Sequence, residues 1–241
     1  EDKAGGLLMY GIPNMKLEKW VIDRRIKLMK DEGVEFIFNA DVGHNISADH
    51  LMSEYDALAL CCGAKKARSL NAKGIEYLAD YSKNGLTNRG GMIFAVDFLT
   101  AVTKCVIATS KALEKIEIEA TNGQIAQMLD QNFGLEIAGK NVVIVGGGDT
   151  GNDCCGSAIR LGAESVTQIE MMPCPPLKRA ENNPWPEWPK VLKVDYGQEE
   201  YIELFGKDPR EYLTTVTKVN TDKDGNVESV DTVKVEWKKD K

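Results

Sequence analysis

The sequence predicts an α/β fold built on a parallel sheet, with a β-hairpin appended to it. Three observations carry this reading. An apolar, β-branched run, Val142-Val143-Ile144-Val145, ends in Gly146-Gly147-Gly148-Asp149-Thr150-Gly151 and leads into a helix-like segment over 150–161. A second strand-like run follows, Ser165-Val166-Thr167-Gln168-Ile169-Glu170, and strand–helix–strand order of this length closes as a parallel pair. From Tyr212 onward residues alternate in character, and Asp224-Gly225 separates two such runs, which is a hairpin signature.

The elements follow in chain order. Residues 1–15 are glycine-rich, Gly5-Gly6-Leu7-Leu8-Met9-Tyr10-Gly11-Ile12-Pro13, and read as a loop. Residues 16–30 read as a helix, because Leu17, Val21, Ile22, Ile26 and Met29 recur near helical spacing and Glu32-Gly33 follows as a stop. Residues 34–39 read as a strand. So do 56–61, where Ala57-Leu58-Ala59-Leu60 forms an apparently buried run closed by Gly63-Ala64. Residues 1–75 thus hold αβ units of their own without a complete glycine fingerprint. Residues 76–138 form a less regular, helical connection: 92–106 is a helix candidate, and 112–130 reads as a polar excursion on the surface. Residues 139–241 hold the glycine turn, the second strand and the hairpin. Between the last two lie Pro173, Pro175, Pro176, Pro184, Pro186 and Pro189, with Trp185 and Trp188. This stretch is a polyproline ligand or an ordered loop whose tryptophans pack on the domain; the ordered loop is favoured.

The glycine run has the G-x-G-x-x-G spacing at Gly146, Gly148 and Gly151. The first glycine permits a tight turn, the second lets a pyrophosphate approach the backbone, and the third lets helix and strand pack closely. The helix start adds free N–H groups and partial positive charge for phosphates. Gly147, Asp149 and Thr150 complete the turn, and Thr150 can donate a further hydrogen bond to phosphate. Strand before and helix after make this a Rossmann-like dinucleotide site rather than a bare glycine turn. Gly162 is the helix stop.

Glu170 lies 24 positions beyond Gly146, near the spacing at which an acid holds the ribose hydroxyls of NAD. A carboxylate there repels a 2′-phosphate, and Met171 and Met172 follow it instead of arginines. This favours NADH over NADPH. Lys178 and Arg179, further on, are the alternative phosphate ligands, and a solvated strand end is the alternative role for Glu170.

Composition narrows the classes. The 241 residues are 43% hydrophobic with a net charge of −7, which argues against nucleic acid as a main partner. No apolar run reaches the ~18 residues of a membrane span. The chain opens Glu1-Asp2-Lys3 without an initiator Met, as a fragment does. Six cysteines, Cys61, Cys62, Cys105, Cys154, Cys155 and Cys174, form no C-x-x-C and no zinc spacing. They read as packing residues in a reducing, cytoplasmic setting. The two histidines, His44 and His50, stand in a polar stretch and read as solvated. No residue is assigned as catalytic and none as a metal ligand. A site for a hydride carrier without an evident acid or base fits a module in which cofactors do the chemistry.

Several segments resemble one family. Gly5 to Leu17, Asp56 to Ala64 (D-A-L-A-L-C-C-G-A) and Gly146 to Gly151 are similar to the small subunit of glutamate synthases. That subunit corresponds to the C-terminal region of the fused NADH-dependent enzymes. Asn183-Pro184-Trp185-Pro186-Glu187-Trp188-Pro189 and Val194-Asp195-Tyr196-Gly197 look like the NADH branch, in which Met171 and Met172 replace an arginine pair of the NADPH branch.

The resemblance implies an NAD domain inserted in an FAD domain, with residues 1–75 a part of the FAD-binding domain and 139–241 the NAD-binding domain, truncated at its C-terminal end. NADH reduces FAD, and iron–sulfur clusters carry electrons to the glutamate-forming large subunit or domain, which makes two L-glutamate from L-glutamine and 2-oxoglutarate. It implies that Gly5, Gly6, Leu7 and Gly63 face FAD. It also implies that the partners are the remainder of the FAD domain, the iron–sulfur region and the large subunit. Because the FAD fingerprint itself is not in this sequence, the chain alone is not expected to hold FAD or to turn over. Two rivals stay open: a related flavin reductase serving another acceptor, and a stand-alone, non-catalytic NAD-binding module.

Overall fold

The computed structural model describes residues 1–64, 66–114 and 121–238. The chain divides into two compact units, Glu1–Leu70 and Asn71–Lys241.

The first unit is helical and irregular. The glycine-rich opening is not purely a loop, because α1 (Leu7–Tyr10) makes one helical turn entered through Gly6 at φ +51°. Gly5, at φ +111°, is the point of contact with α2 (Lys19–Asp31): a Cβ there would lie 3.0 Å from Ile22 Cγ2. α2 begins a few residues after the apolar pattern does. It ends as expected, with the Val34 N–H on the Met29 carbonyl and Gly33 at φ +97°. α3 (Ala48–Glu54) follows, its first turn capped by Ser47.

Two expected strands do not form. Residues 34–39 and 56–61 belong to no strand; Asn39 takes φ +53° with its N–H on the Glu1 carbonyl, and the run expected to be buried is open to solvent, with Leu60 91% exposed. A strand exists through the hydrogen bonds of a neighbour. Among the described residues of this unit the one bridge is the local pair Val42 and Ile46.

The second unit contains the predicted parallel sheet, in the order β3 (Asn141–Val145), β4 (Ser165–Ile169), β5 (Arg210–Glu211). β3 and β4 run in register from Asn141 opposite Ser165 to Val145 opposite Ile169. α6 (Asp149–Arg160) crosses between them. It stops where Gly162 takes φ +86°, with Gly162 N–H on the Ile159 carbonyl and Ala163 N–H on the Ala158 carbonyl. These two bonds satisfy carbonyls that the helix end would otherwise leave open.

β1 (Asn88–Arg89) and β2 (Met92–Ile93) precede α4 (Ala95–Glu114). The stretch expected to be a surface excursion yields α5 (Asn122–Phe133) instead, with Ile125, Leu129 and Phe133 in the core; residues 115–120 of that stretch lie outside the described residues. Thr121 and Gln124 cap this helix reciprocally. α4, α5 and α6 share one core with Leu99, Cys105, Cys155, Ala158, Val166 and Tyr201. Tyr201 belongs to α7 (Tyr196–Phe205), a helix the sequence pattern did not reveal. α7 lies close against α6, since a Cβ on Gly197 would be 2.5 Å from the Asn152 carbonyl oxygen and 2.8 Å from Gly156 N.

The hairpin is β6 (Thr214–Thr221) with β7 (Val227–Lys234). Asp222 builds its turn, accepting from the N–H of Asp224 and of Asn226. The hairpin lies against residues 73–91: Lys73 bridges Lys218, Ala79 N–H reaches the Gly225 carbonyl, and Val227 N–H reaches the Gly90 carbonyl.

Candidate functional site

The glycine turn links β3 to α6. Gly146 takes φ +125°, a conformation that favours glycine, and its N–H holds the end of β4 through the Ile169 carbonyl at 2.8 Å. Gly148 is the N-cap of α6, with extended backbone and no side-chain cap, and a Cβ there would meet nothing within 4 Å. Space over an uncapped helix start is what a pyrophosphate needs. Gly151 is the reverse case. A Cβ there would collide with the Gly146 carbonyl oxygen and lie 2.5 Å from Gln168 Nε2. Gly146 therefore supplies the positive φ of the turn, Gly151 permits close packing, and Gly148 leaves open space at the helix start. Asp149 and Thr150 stand at the first helical positions of α6.

Glu170 follows β4 and turns back onto the glycine turn. One carboxylate oxygen accepts the Gly147 N–H at 2.9 Å, and the other accepts the Met172 N–H at 2.7 Å. Gly147 must be glycine for this reason, since a Cβ there would collide with the Glu170 carboxylate. Its N–H is thereby engaged by protein. Met171 and Met172 are exposed beside Glu170.

Behind the turn lies a buried polar group to which the sequence pattern assigns no role. Gln168 and Gln198 are 0% and 3% exposed, and Asn152 is 2% exposed. Gln168 Nε2 donates to the Gly146 carbonyl at 2.9 Å, and Gln198 Nε2 donates to Gln168 Oε1 at 3.0 Å. Asn152 Oδ1 accepts the Gln198 N–H at 3.1 Å. The one available signal was Asp195-x-x-Gln198, the spacing of a reciprocal helix cap, which the structure forms at the start of α7.

Cys154 and Cys155, on α6, are buried. Burial pushes both thiols up to about 12, with Asp153 adding to the effect on Cys154. Burial alone raises Cys105 to about 11. These three are packing residues, as expected. Cys61, Cys62 and Cys174 are exposed, which corrects their reading as packing residues. His44 and His50 are exposed too.

The proline-rich loop is ordered, but its tryptophans do not pack on the domain, Trp185 being 83% and Trp188 76% exposed. Its order comes from buried Asn183, which donates to Glu187 Oε2 and the Trp188 carbonyl and accepts the Lys190 N–H. Arg179 is spent inside the same loop, on the carbonyls of Asn183 and Glu187.

In the first unit, Gly5 and Gly6 form the entry to α1, and Leu7 is its exposed first residue. Gly63, at φ +65°, sits in an exposed irregular segment. Among the described residues of that unit no strand–turn–helix presents N–H groups to a second pyrophosphate. Lys19 ties the segment after α1 together, donating to the carbonyls of Leu8, Ile12 and Leu17 at 2.6–3.1 Å. Among the described residues no helix is long and apolar enough to cross a membrane, and no group of His, Cys, Asp or Glu is placed to hold a metal.

A parallel strand–turn–helix–strand, with an open glycine turn and an acid at the end of the second strand, defines a dinucleotide-binding α/β domain. The chain belongs to the pyridine nucleotide-disulphide oxidoreductase family, whose sequence model matches residues 22–183. It is 42% identical over 238 residues to "Glutamate synthase [NADH]" of Saccharomyces cerevisiae and 41% identical over 242 aligned positions to its namesake in Schizosaccharomyces pombe. It is 40% identical over 235 residues to "Glutamate synthase [NADPH] small chain" of Bacillus subtilis. These alignments cover 98–99% of this chain. They cover 10% of each yeast protein and 42% of the bacterial one, so the chain spans a minor part of each relative.

Proposed function

We propose that this chain is the nicotinamide-binding part of a glutamate synthase, and that it takes NADH in preference to NADPH. The observation that carries the cofactor choice is Glu170, fixed by two backbone N–H groups beside the glycine turn, with the exposed methionines Met171 and Met172 following it. A fixed carboxylate at this strand end favours two ribose hydroxyls and disfavours a 2′-phosphate. The relatives carry both cofactors in their names, so their likeness leaves the choice to this residue.

Bound here, the nicotinamide supplies a hydride. The chain's own residues bind and orient. The N–H groups at the start of α6 and the Thr150 hydroxyl hold the pyrophosphate, Gly148 leaves room for it, and Glu170 holds the adenosine ribose. The glutamate-forming chemistry, the iron–sulfur clusters and the remainder of the FAD domain belong in this reading to the rest of the longer protein, in the cytoplasm, and Gly5, Gly6, Leu7 and Gly63 would there face FAD. The likeness to glutamate synthases over nearly the whole chain supports that assignment over a reductase for another acceptor.

Titration of the purified chain with NADH, followed by calorimetry, tests the reading. Saturable binding that disappears in Gly148→Val is expected. Binding that persists within threefold in that variant would place the pyrophosphate elsewhere.

A further inference from the structure

The capping box of α7 and the carbonyl of the glycine turn are joined by one directed chain of hydrogen bonds. The Asp195 N–H donates to Gln198 Oε1 at 3.1 Å. Gln198 Nε2 donates to Gln168 Oε1 at 3.0 Å, and Gln168 Nε2 donates to the Gly146 carbonyl at 2.9 Å. The direction is imposed at both ends. A backbone carbonyl can only accept, so the Gln168 amide must present its nitrogen to Gly146 and its oxygen to Gln198. The Asp195 N–H can only donate, so Gln198 must present its oxygen there and its nitrogen to Gln168. Both amides are buried, where an unmatched polar atom is costly and aligned hydrogen bonds polarise one another.

We infer that Gln168 and Gln198 are positioning residues for the dinucleotide turn. Gln198 caps α7 and, through Gln168, fixes the orientation of the Gly146–Gly147 peptide. That peptide carries the N–H which Glu170 accepts, so the relay also sets where Glu170 stands. The third fingerprint glycine is part of the device, because a side chain at Gly151 would press on both ends of the Gln168–Gly146 bond. The effect on cofactor binding rests on the reading of this turn as the dinucleotide site; the effect on the turn itself does not.

The substitution that separates this role from helix capping is Gln198→Glu. Glutamate is an equally good reciprocal cap at this position, but its carboxylate cannot donate to Gln168. Asp195→Ala is the converse, removing the capping carboxylate while leaving the backbone N–H that begins the relay. The readout is the amide resonances and hydrogen exchange of Gly146, Gly147 and Gly148, with NADH titration alongside.

Gln198→Glu is expected to move these resonances, speed their exchange and weaken NADH about tenfold, the scale of one buried hydrogen bond. Asp195→Ala is expected to lower thermal stability and leave the turn in place. Turn amides unchanged in Gln198→Glu would overturn the inference, whatever NADH does. Turn amides that move in a chain that never binds NADH would uphold the relay and overturn the proposed function. In the unaltered chain a through-hydrogen-bond coupling between Gln168 Nε2 and the Gly146 carbonyl is also expected. Its absence would overturn the inference even where the variant does not fold.

Discussion

Glu170 and Gly147 are bound to each other: the carboxylate accepts the glycine's N–H at 2.9 Å, and the glycine lacks the Cβ that would displace the carboxylate. In the proposed function, one contact thus joins the turn that would receive a pyrophosphate to the acid that would hold the ribose. The four glycines of the turn therefore respond differently to substitution. Gly147 protects the acid, Gly148 keeps the approach open, Gly151 permits packing, and Gly146 supplies the positive φ.

Gly148 and Gly151 make the sharpest contrast. Gly148→Val should keep its thermal midpoint, because nothing stands within 4 Å of the new Cβ, and should lose NADH. Gly151→Ala forces a methyl against Gly146 and Gln168, and overpacking of this kind costs about 1–3 kcal/mol. For a unit of this size each kcal/mol lowers the midpoint by roughly 2–4 °C. Thermal melts and titrations of the two variants side by side check this; equal midpoints would contradict it.

The thiols should divide by burial. A disulfide-exchange reagent at neutral pH should modify Cys61, Cys62 and Cys174 quickly. Cys105, Cys154 and Cys155 should react only on unfolding, since burial holds them at about 11 to 12 and the thiolate is the reactive form. Six fast thiols in the folded chain would refute the packing of α4 and α6.

Lys19 should titrate below the usual lysine range. Burial lowers its ammonium to about 8 from 10.5. Between those values the unfolded chain binds more protons at this position than the folded one, so folding stability must rise with pH through that window. The unfolding free energy of the unaltered chain, taken relative to Lys19→Met, should therefore increase from pH 8 to 10.5. Direct titration of the side-chain Cε resonance should show a midpoint near 8; a midpoint near 10.5 would mean that the three carbonyl acceptors offset the burial.

How much of this was legible in the sequence depends on the range of the interactions involved. The glycine turn is local, its requirements are steric, and its spacing reports them; Glu170 lies one strand away and the fixed length of the unit places it. α5 and α7 each carried a cap signature, Thr121 with Gln124 and Asp195 with Gln198, but a polar composition obscured the first and prolines flanked the second. Gln168 looked like any half-buried strand residue, since its role depends on a partner thirty positions on. Residues 34–39 and 56–61 have strand composition, yet composition cannot supply the neighbouring strand. Trp185 and Trp188 were expected to pack on the domain, but the loop that bears them is organised around Asn183 and leaves them exposed.

Flavin content checks the reading of the first unit. Among its described residues no strand–turn–helix offers N–H groups to a pyrophosphate, and immobilising a large ligand costs several kcal/mol that other contacts must offset. The purified chain should show no flavin absorbance and no NADH oxidation by added dyes. A yellow chain with dye-reducing activity would contradict this.

The most direct test of the central claim is a paired titration of NADH and NADPH on the unaltered chain and on Glu170→Ala. The account predicts that the unaltered chain binds NADH more tightly. It predicts that Glu170→Ala weakens NADH by about 1.5–3 kcal/mol, the scale of hydrogen bonds to a charged group, and narrows or reverses the preference. Equal or tighter binding of NADPH by the unaltered chain, or a preference unmoved by Glu170→Ala, would contradict it.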